Sequence, residues 1–156
     1  MQSPVNNNKL KLISYNMHGY NQGITTVADL IASLHPGVFL LQEHWLTPAN
    51  LDAFDKKFSN YFTFGCSAMT RSVESGLLRG RPFGGVMFTI VKNLRKLTEV
   101  IYCCDRFALV KVANYVVVNV YLPCSGTNDR STILDDVLAE LQAWLERYCH
   151  VGYYNL

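Results

Sequence analysis

The chain has 156 residues, a formal charge of +2 and five cysteines. That length suits one domain able to bury a core, and the near-balanced charge neither demands nor excludes a polyanionic partner. Cys66, Cys103, Cys104, Cys124 and Cys149 are odd in number and form no C-x-x-C pair. This argues against a disulfide scaffold or zinc site and for free thiols in a reducing compartment.

Residues 1–8 form a polar, Asn-rich lead. "MQSPVNNNKLKL" holds neither an apolar signal core nor a run able to span a bilayer, which points to an intracellular protein, cytoplasmic or nuclear, with no membrane partner. "KLKLISY" alternates and reads as a first strand ending at Tyr15. "TTVADLIASLH" places Val27, Leu30, Ile31 and Leu34 at helical spacing, with Thr25 or Thr26 as cap and Pro36 as stop. "GVFLLQE" is a continuous apolar run of the kind covered on both faces, so strand, helix and strand suggest a parallel crossover unit.

"TPANLDAFDKKF" predicts a second helix with Thr47 as cap, Pro48 at its first position, and Leu51, Phe54 and Phe58 on one face. Five strands follow, "YFTFGC", "GGVMFTIV", "LTEVIYC", "RFALVKVA" and "YVVVNVYL", closely spaced and hence antiparallel. Ser67 to Gly85, between the first two, reads as a Gly- and Arg-rich loop of a length that is functional or disordered. "DRSTILDDVLAELQAWLERY" carries a broad apolar stripe, including Ile133, Val137, Leu138, Leu141 and Trp144, and predicts the clearest helix. "HVGYYNL" begins what reads as a further strand. The class is α/β: one mixed sheet flanked by helices.

Three polar residues fall where predicted strands end: Asn16 in "SYNMHG", Glu43 in "LLQEHWL" and Tyr121 in "VNVYLPCSG". Ligand and catalytic groups of α/β sheets gather beyond the strands' carboxyl ends, so the three converge in this reading. Each has a plainer reading alone: turn former for Asn16, cap or ion-pair partner for Glu43, boundary residue for Tyr121. Glu43 is the most telling, because an unpaired charge at the end of a buried strand costs several kcal/mol, on the order of a whole domain's stability.

Taken together with "ISYNMHG", "LLQEHW", "RPFGGVMF" and "VVVNVYLPCSG", the chain resembles the endonuclease/exonuclease/phosphatase superfamily of metal-dependent phosphoesterases from about Lys9 to its last residue. The resemblance implies a DNase I-like fold, with residues 9–156 as the N-terminal half of a four-layer αββα sandwich. It implies catalytic roles for Asn16, Glu43 and Tyr121. Glu43, with Asn16, would ligate Mg²⁺ or Mn²⁺, Asn16 would contact the scissile phosphate or metal-bound water, and Tyr121 would steady charge at phosphorus. Arg81, in the Gly-bounded loop, would grip backbone phosphate bidentately, though a solvated surface arginine is an equal reading.

The family's repair enzymes carry an acidic residue where this chain has His18, and an Asn where it has Cys124, which argues against an abasic-site repair nuclease. "LLQEHWL" and "GRPFGGV" are instead similar to the endonuclease domains that precede reverse transcriptase in non-LTR retrotransposons. The partner implied is DNA. Family members continue into a G-D-x-N strand and a later Ser-Asp-His cluster, neither of which occurs here, so the chain is expected to be truncated before its C-terminal half. Without that half, the inner faces of "VVVNVYL" and "GGVMFTIV" are expected to lose their cover, leaving the chain inactive and prone to associate. A phosphatase or RNA-directed relative, and a non-catalytic remnant or binding module, stand as alternatives.

Overall fold

In the computed structural model, residues 9–76 and 80–149 are described, with the side chain of Cys149 left aside. The N-terminal lead and the strand expected at "HVGYYNL" lie outside the described residues. Strand β1 (Leu12–Asn16) leads into helix α1 (Tyr20–Leu34) and strand β2 (Val38–Gln42). After a 3₁₀ turn at Pro48–Asn50 come α2 (Ala53–Lys57), β3 (Tyr61–Cys66), α3 (Thr70–Glu74) and β4 (Val86–Val91). A second 3₁₀ segment, Lys92–Leu97, precedes β5 (Thr98–Cys103), β6 (Phe107–Val112), β7 (Tyr115–Val120) and α4 (Arg130–Cys149).

The strands divide into two sheets, ordered β1–β2–β4–β3 and β5–β6–β7, where the sequence suggested one. β1 and β2 are parallel, as the crossover implies, and every other pair is antiparallel. The two sheets pack face to face. Val38, Leu40, Val86, Phe88 and Ile90 of the first interlock with Ala108, Val110, Val112 and Val117 of the second. The expectation of an uncovered inner face is therefore corrected for β4 and β7: each sheet covers the other, because both occur within these residues. The cover stops short at β1, where Leu12 is 47% exposed and Ser14 is exposed.

Helices close the outer faces. α1 and α2 lie on the first sheet, where Val27, Phe39, Leu41, Phe54 and Met87 are fully buried. α4 covers the second through Val137, Ile133, Leu141, Trp144 and Leu145 against Phe107 and Leu109. Truncating any one of Phe39, Phe54, Phe88 or Phe107 to Ala carries the usual cost of a core aromatic, about 3–5 kcal/mol. Leu138, counted in the apolar stripe, faces outward at 46% exposure.

Three element boundaries differ from the sequence reading. α1 starts five residues before Thr25, with Gly19 rather than a threonine at its N-cap. Its first turns bury Gly23 and pack Tyr20 edge-on against Phe54 at 5.1 Å. Gly23 reads as a breaker but is demanded by packing, since a Cβ there would lie 2.8 Å from the Met17 carbonyl. The second predicted helix is split, because Asp52 adopts φ −80°, ψ 2°, outside helical values, while Asn50 Nδ2 is drawn back to Thr47 Oγ1 at 3.0 Å. The long loop contains α3. Its entry is fixed by buried Met69, whose N–H donates to Ser67 Oγ, and by Thr70 Oγ1 donating to the Ser67 carbonyl.

Candidate active site

Beyond their last paired residues, β1 and β2 run on side by side. The N–H groups of Met17, Gly19 and Tyr20 donate to the carbonyls of Gln42, Glu43 and His44 at 2.8, 2.8 and 2.9 Å. From the other side, the N–H groups of Glu43 and Trp45 donate to Gly85 and Gly84, the end of the Arg-rich loop. Held between these two backbones, Glu43 and Trp45 adopt left-handed φ values of 52° and 56°, and neighbouring His18 adopts 49°. Such residues cost about 1–3 kcal/mol each and cluster where geometry serves function. Gly19 and Gly85 allow the close approach: a Cβ on Gly19 would stand 2.6 Å from the Trp45 ring, and one on Gly85 would strike the His44 imidazole.

The left-handed turn lifts Glu43 to the rim. Its side chain keeps 18% exposure, so it is not the fully buried charge that its place in the sequence suggested. Asn16 Nδ2 donates to Glu43 Oε1 at 3.0 Å, and Asn16 Oδ1 accepts the His18 N–H at 3.0 Å. Tyr121 and Trp45 flank the carboxylate as further polar neighbours that favour its charged form. His18 Nδ1 stands 3.9 Å from Glu43 Oε2, its side chain 78% exposed and tilted over Trp45 at 5.0 Å between ring centroids. Partial burial pushes the Glu43 carboxyl up, but the bond from Asn16, with Tyr121, Trp45 and His18 beside it, outweighs this and holds the group below its ordinary value. Burial, and then the bond to Glu43, push Tyr121 up to about 12, so it remains a donor at neutral pH. The Arg106 guanidinium lies 5.3 Å over the Tyr121 ring.

Asn16, Glu43 and Tyr121 thus stand together. Arg81 does not join them: it is exposed in the loop and makes no hydrogen bond or ion pair among the described residues. Two contributors escaped the sequence reading. Trp45 follows Glu43 by two residues, but no motif in the sequence singles it out. Asn119, polar within the run "VVVNVYL", is fully buried and ties the sheets together behind the site. It accepts from Gln42 Nε2 at 2.6 Å and donates to the carbonyls of Leu41 and Met87 at 3.0 and 2.9 Å. Gln42 immediately precedes Glu43, so this network fixes the strand end that presents the carboxylate.

His44 is the floor of the site. It is fully buried, with Nδ1 accepting the Leu46 N–H at 3.0 Å and Nε2–H donating to the Cys66 carbonyl at 3.1 Å. Burial pushes the imidazole down to about 4, against the pull of the Cys66 and Val86 carbonyls. The unfolded chain binds the proton near 6.5 and the folded chain only near 4, so stability is expected to fall as pH drops through that window, by about 3 kcal/mol, and then to flatten. Urea midpoints measured across the window check this, and His44→Gln should flatten the slope. A His44 ring signal titrating near its ordinary value in the folded protein would contradict it.

A groove of about 980 Å³ at the opposite end of the sheets, lined by Lys11, His35, Tyr61 and Leu94, holds none of these residues. Among the described residues, no three His, Cys, Asp or Glu side chains gather closely enough to cage a metal, and no helix is long and apolar enough to cross a membrane. The donor set at Glu43 is nevertheless one that a hard cation accepts. Mg²⁺ keeps several waters and needs only one or two carboxylates, and Glu43 is ionised and rim-exposed.

No family model and no curated protein matches the sequence. Among solved structures, the chain is similar to the 3′ phosphatase NExo from Neisseria bound to a product DNA hairpin (TM-score 0.68, 15% identity, 91% of this chain and 53% of that one). It is also similar to the AP endonuclease LMAP from Leishmania major (TM-score 0.68, 15% identity, 94% and 50%) and to an AP endonuclease from Archaeoglobus fulgidus (TM-score 0.62, 16% identity, 89% and 52%). The chain spans about half the length of these structures. The fold is mixed α/β, two packed sheets flanked by helices, of the DNase I-like type.

Proposed function

We propose that the chain is the first half of a metal-dependent phosphodiesterase domain acting on DNA, of the kind that precedes reverse transcriptase in retroelement proteins. The observation that carries this reading is the ionised Glu43 carboxylate at the end of β2, oriented by Asn16 and Tyr121 from two other strand ends. Mg²⁺ or Mn²⁺ held by Glu43, with Asn16 beside it, would supply positive charge to the phosphate oxygens. Asn16 orients the carboxylate without adding charge, and its amide would have to rotate to offer Oδ1 as a ligand. Tyr121, protonated at working pH, would donate to a phosphate oxygen as charge develops there. Arg81 would reach the backbone phosphate from the loop that ends at Gly84 and Gly85.

The half-domain reading rests on the match to about half of each solved relative and on β1, whose inner face carries exposed Leu12 and Ser14 beyond the edge of β7. Further strands beside β7 would cover that face and bring the residues that activate water, so the 156-residue chain alone would be inactive.

The test is a chain extended through a downstream half, assayed with Mg²⁺ on supercoiled plasmid, on a DNA 3′-phosphate end and on single-stranded RNA. Nicking of the plasmid that EDTA abolishes is the expected result. Hydrolysis confined to the 3′-phosphate would make it a phosphatase, and confined to RNA an RNA-directed enzyme. Inactivity on all three would favour a non-catalytic module.

A further inference from the structure

Pairing registers in the two sheets align one cross-strand row of each. In the first sheet Gln42, Val86 and Cys66 stand side by side on β2, β4 and β3. In the second, Asn119, Ala108 and Cys103 stand side by side on β7, β6 and β5. The rows face each other across the sandwich. Gln42 bonds to Asn119 at 2.6 Å, and Val86 and Ala108 share the dry core. At the third place Cys66 faces Cys103, near enough for each thiol to shift the other, with Cys103 packed on the same core and its Sγ 3.9 Å from the Cys104 carbonyl.

We propose that Cys66 and Cys103 are a redox pair that closes into a disulfide across the two sheets when the protein meets a small-molecule disulfide oxidant. Both thiols are free and half-buried, so a small oxidant can reach them. Both residues end their strands. Cys66 follows Gly65, and β5 has a register shift between Val100 and Tyr102, so the final approach moves strand ends and not the core.

The two thiols differ in readiness. The nearby Cys103 thiol lowers Cys66 against the opposing effect of burial, and Cys66, with burial, raises Cys103. Cys66 thiolate therefore attacks one sulfur of the oxidant RSSR, forming a mixed disulfide and releasing RS⁻. Cys103 gives up its proton and attacks Cys66 Sγ, which expels the second RS⁻. The oxidant is reduced to two RSH, which take the two cysteine protons, and the protein loses two electrons. The neighbouring thiol is turned elsewhere: Cys104 Sγ accepts the Phe107 N–H at 3.4 Å. The new bond would also fix Cys66, whose carbonyl holds His44 beneath Glu43.

The test treats the native chain with oxidised glutathione, blocks remaining thiols with iodoacetamide, and maps linked peptides by mass spectrometry. A Cys66 peptide joined to the Cys103–Cys104 peptide is expected as the dominant link. It should persist in Cys104→Ser and Cys124→Ser and vanish in Cys66→Ser and Cys103→Ser. The urea midpoint of the oxidised chain should rise and return to its starting value with dithiothreitol. Cys66→Ala and Cys103→Ala, compared with wild type by circular dichroism, separate loss of the link from loss of the fold. A dominant link through Cys104, Cys124 or Cys149, or glutathione adducts without a cross-link, would overturn the proposal.

Discussion

Glu43→Gln, in a chain extended through a downstream half, is expected to lose Mg²⁺-dependent plasmid nicking by at least about 100-fold while keeping its circular dichroism spectrum and urea midpoint. Gln is nearly isosteric and still accepts a hydrogen bond through its amide oxygen. What it removes is the negative charge that Asn16, Tyr121 and Trp45 hold in its ionised form. Structure therefore survives while attraction for a hard cation is lost. Asn16→Ala should lower nicking less, because it removes an orienting donor and leaves the charge. Undiminished nicking by Glu43→Gln would mean that the carboxylate at the end of β2 serves the fold alone.

Asn119→Leu is expected to cost about 3–5 kcal/mol by urea denaturation, as much as truncating a core aromatic. Asn119 is fully buried and makes three cross-sheet hydrogen bonds. Leucine, of similar volume, leaves the Leu41 and Met87 carbonyls without this donor and takes the acceptor from Gln42 Nε2. A buried group deprived of its partner costs about 1–3 kcal/mol. Because Gln42 Nε2 also donates to Ser14 Oγ at 3.1 Å and to the Leu40 carbonyl at 3.3 Å, its side chain keeps two anchors, which bounds the loss. A cost below about 1 kcal/mol would show that water or a shifted Gln42 replaces the network.

Local pattern made much of this molecule legible. "YFTFGC" is β3 residue for residue, and the crossover from "KLKLISY" through a helix to "GVFLLQE" is the parallel β1–β2 pair. The strand-end positions of Asn16, Glu43 and Tyr121 were visible because apolar runs break there. What stayed hidden depends on contacts between distant segments. The first turns of α1 precede the apolar stripe at Val27, and Gly23 within them is what lets the helix lie on Met17. The division of seven strands into two sheets, and the alignment of their rows, is set by packing across the core, so neither the role of Asn119 nor the meeting of Cys66 with Cys103 can be read from periodicity. Trp45 was hidden for a related reason. Its left-handed backbone, imposed by pairing to Gly84, brings the indole beside the carboxylate, a placement no local pattern announces.

Whether Glu43 anchors a divalent cation between three strand ends is measured most directly by Mn²⁺ titration of the ¹⁵N-labelled chain by NMR, since a paramagnetic ion broadens the signals nearest to it. Selective broadening is expected of the Asn16 side-chain amide, the Glu43 and Trp45 backbone amides and the Trp45 indole N–H, reversed by EDTA and absent in Glu43→Gln. Broadening centred elsewhere, or equally strong in Glu43→Gln, would contradict it.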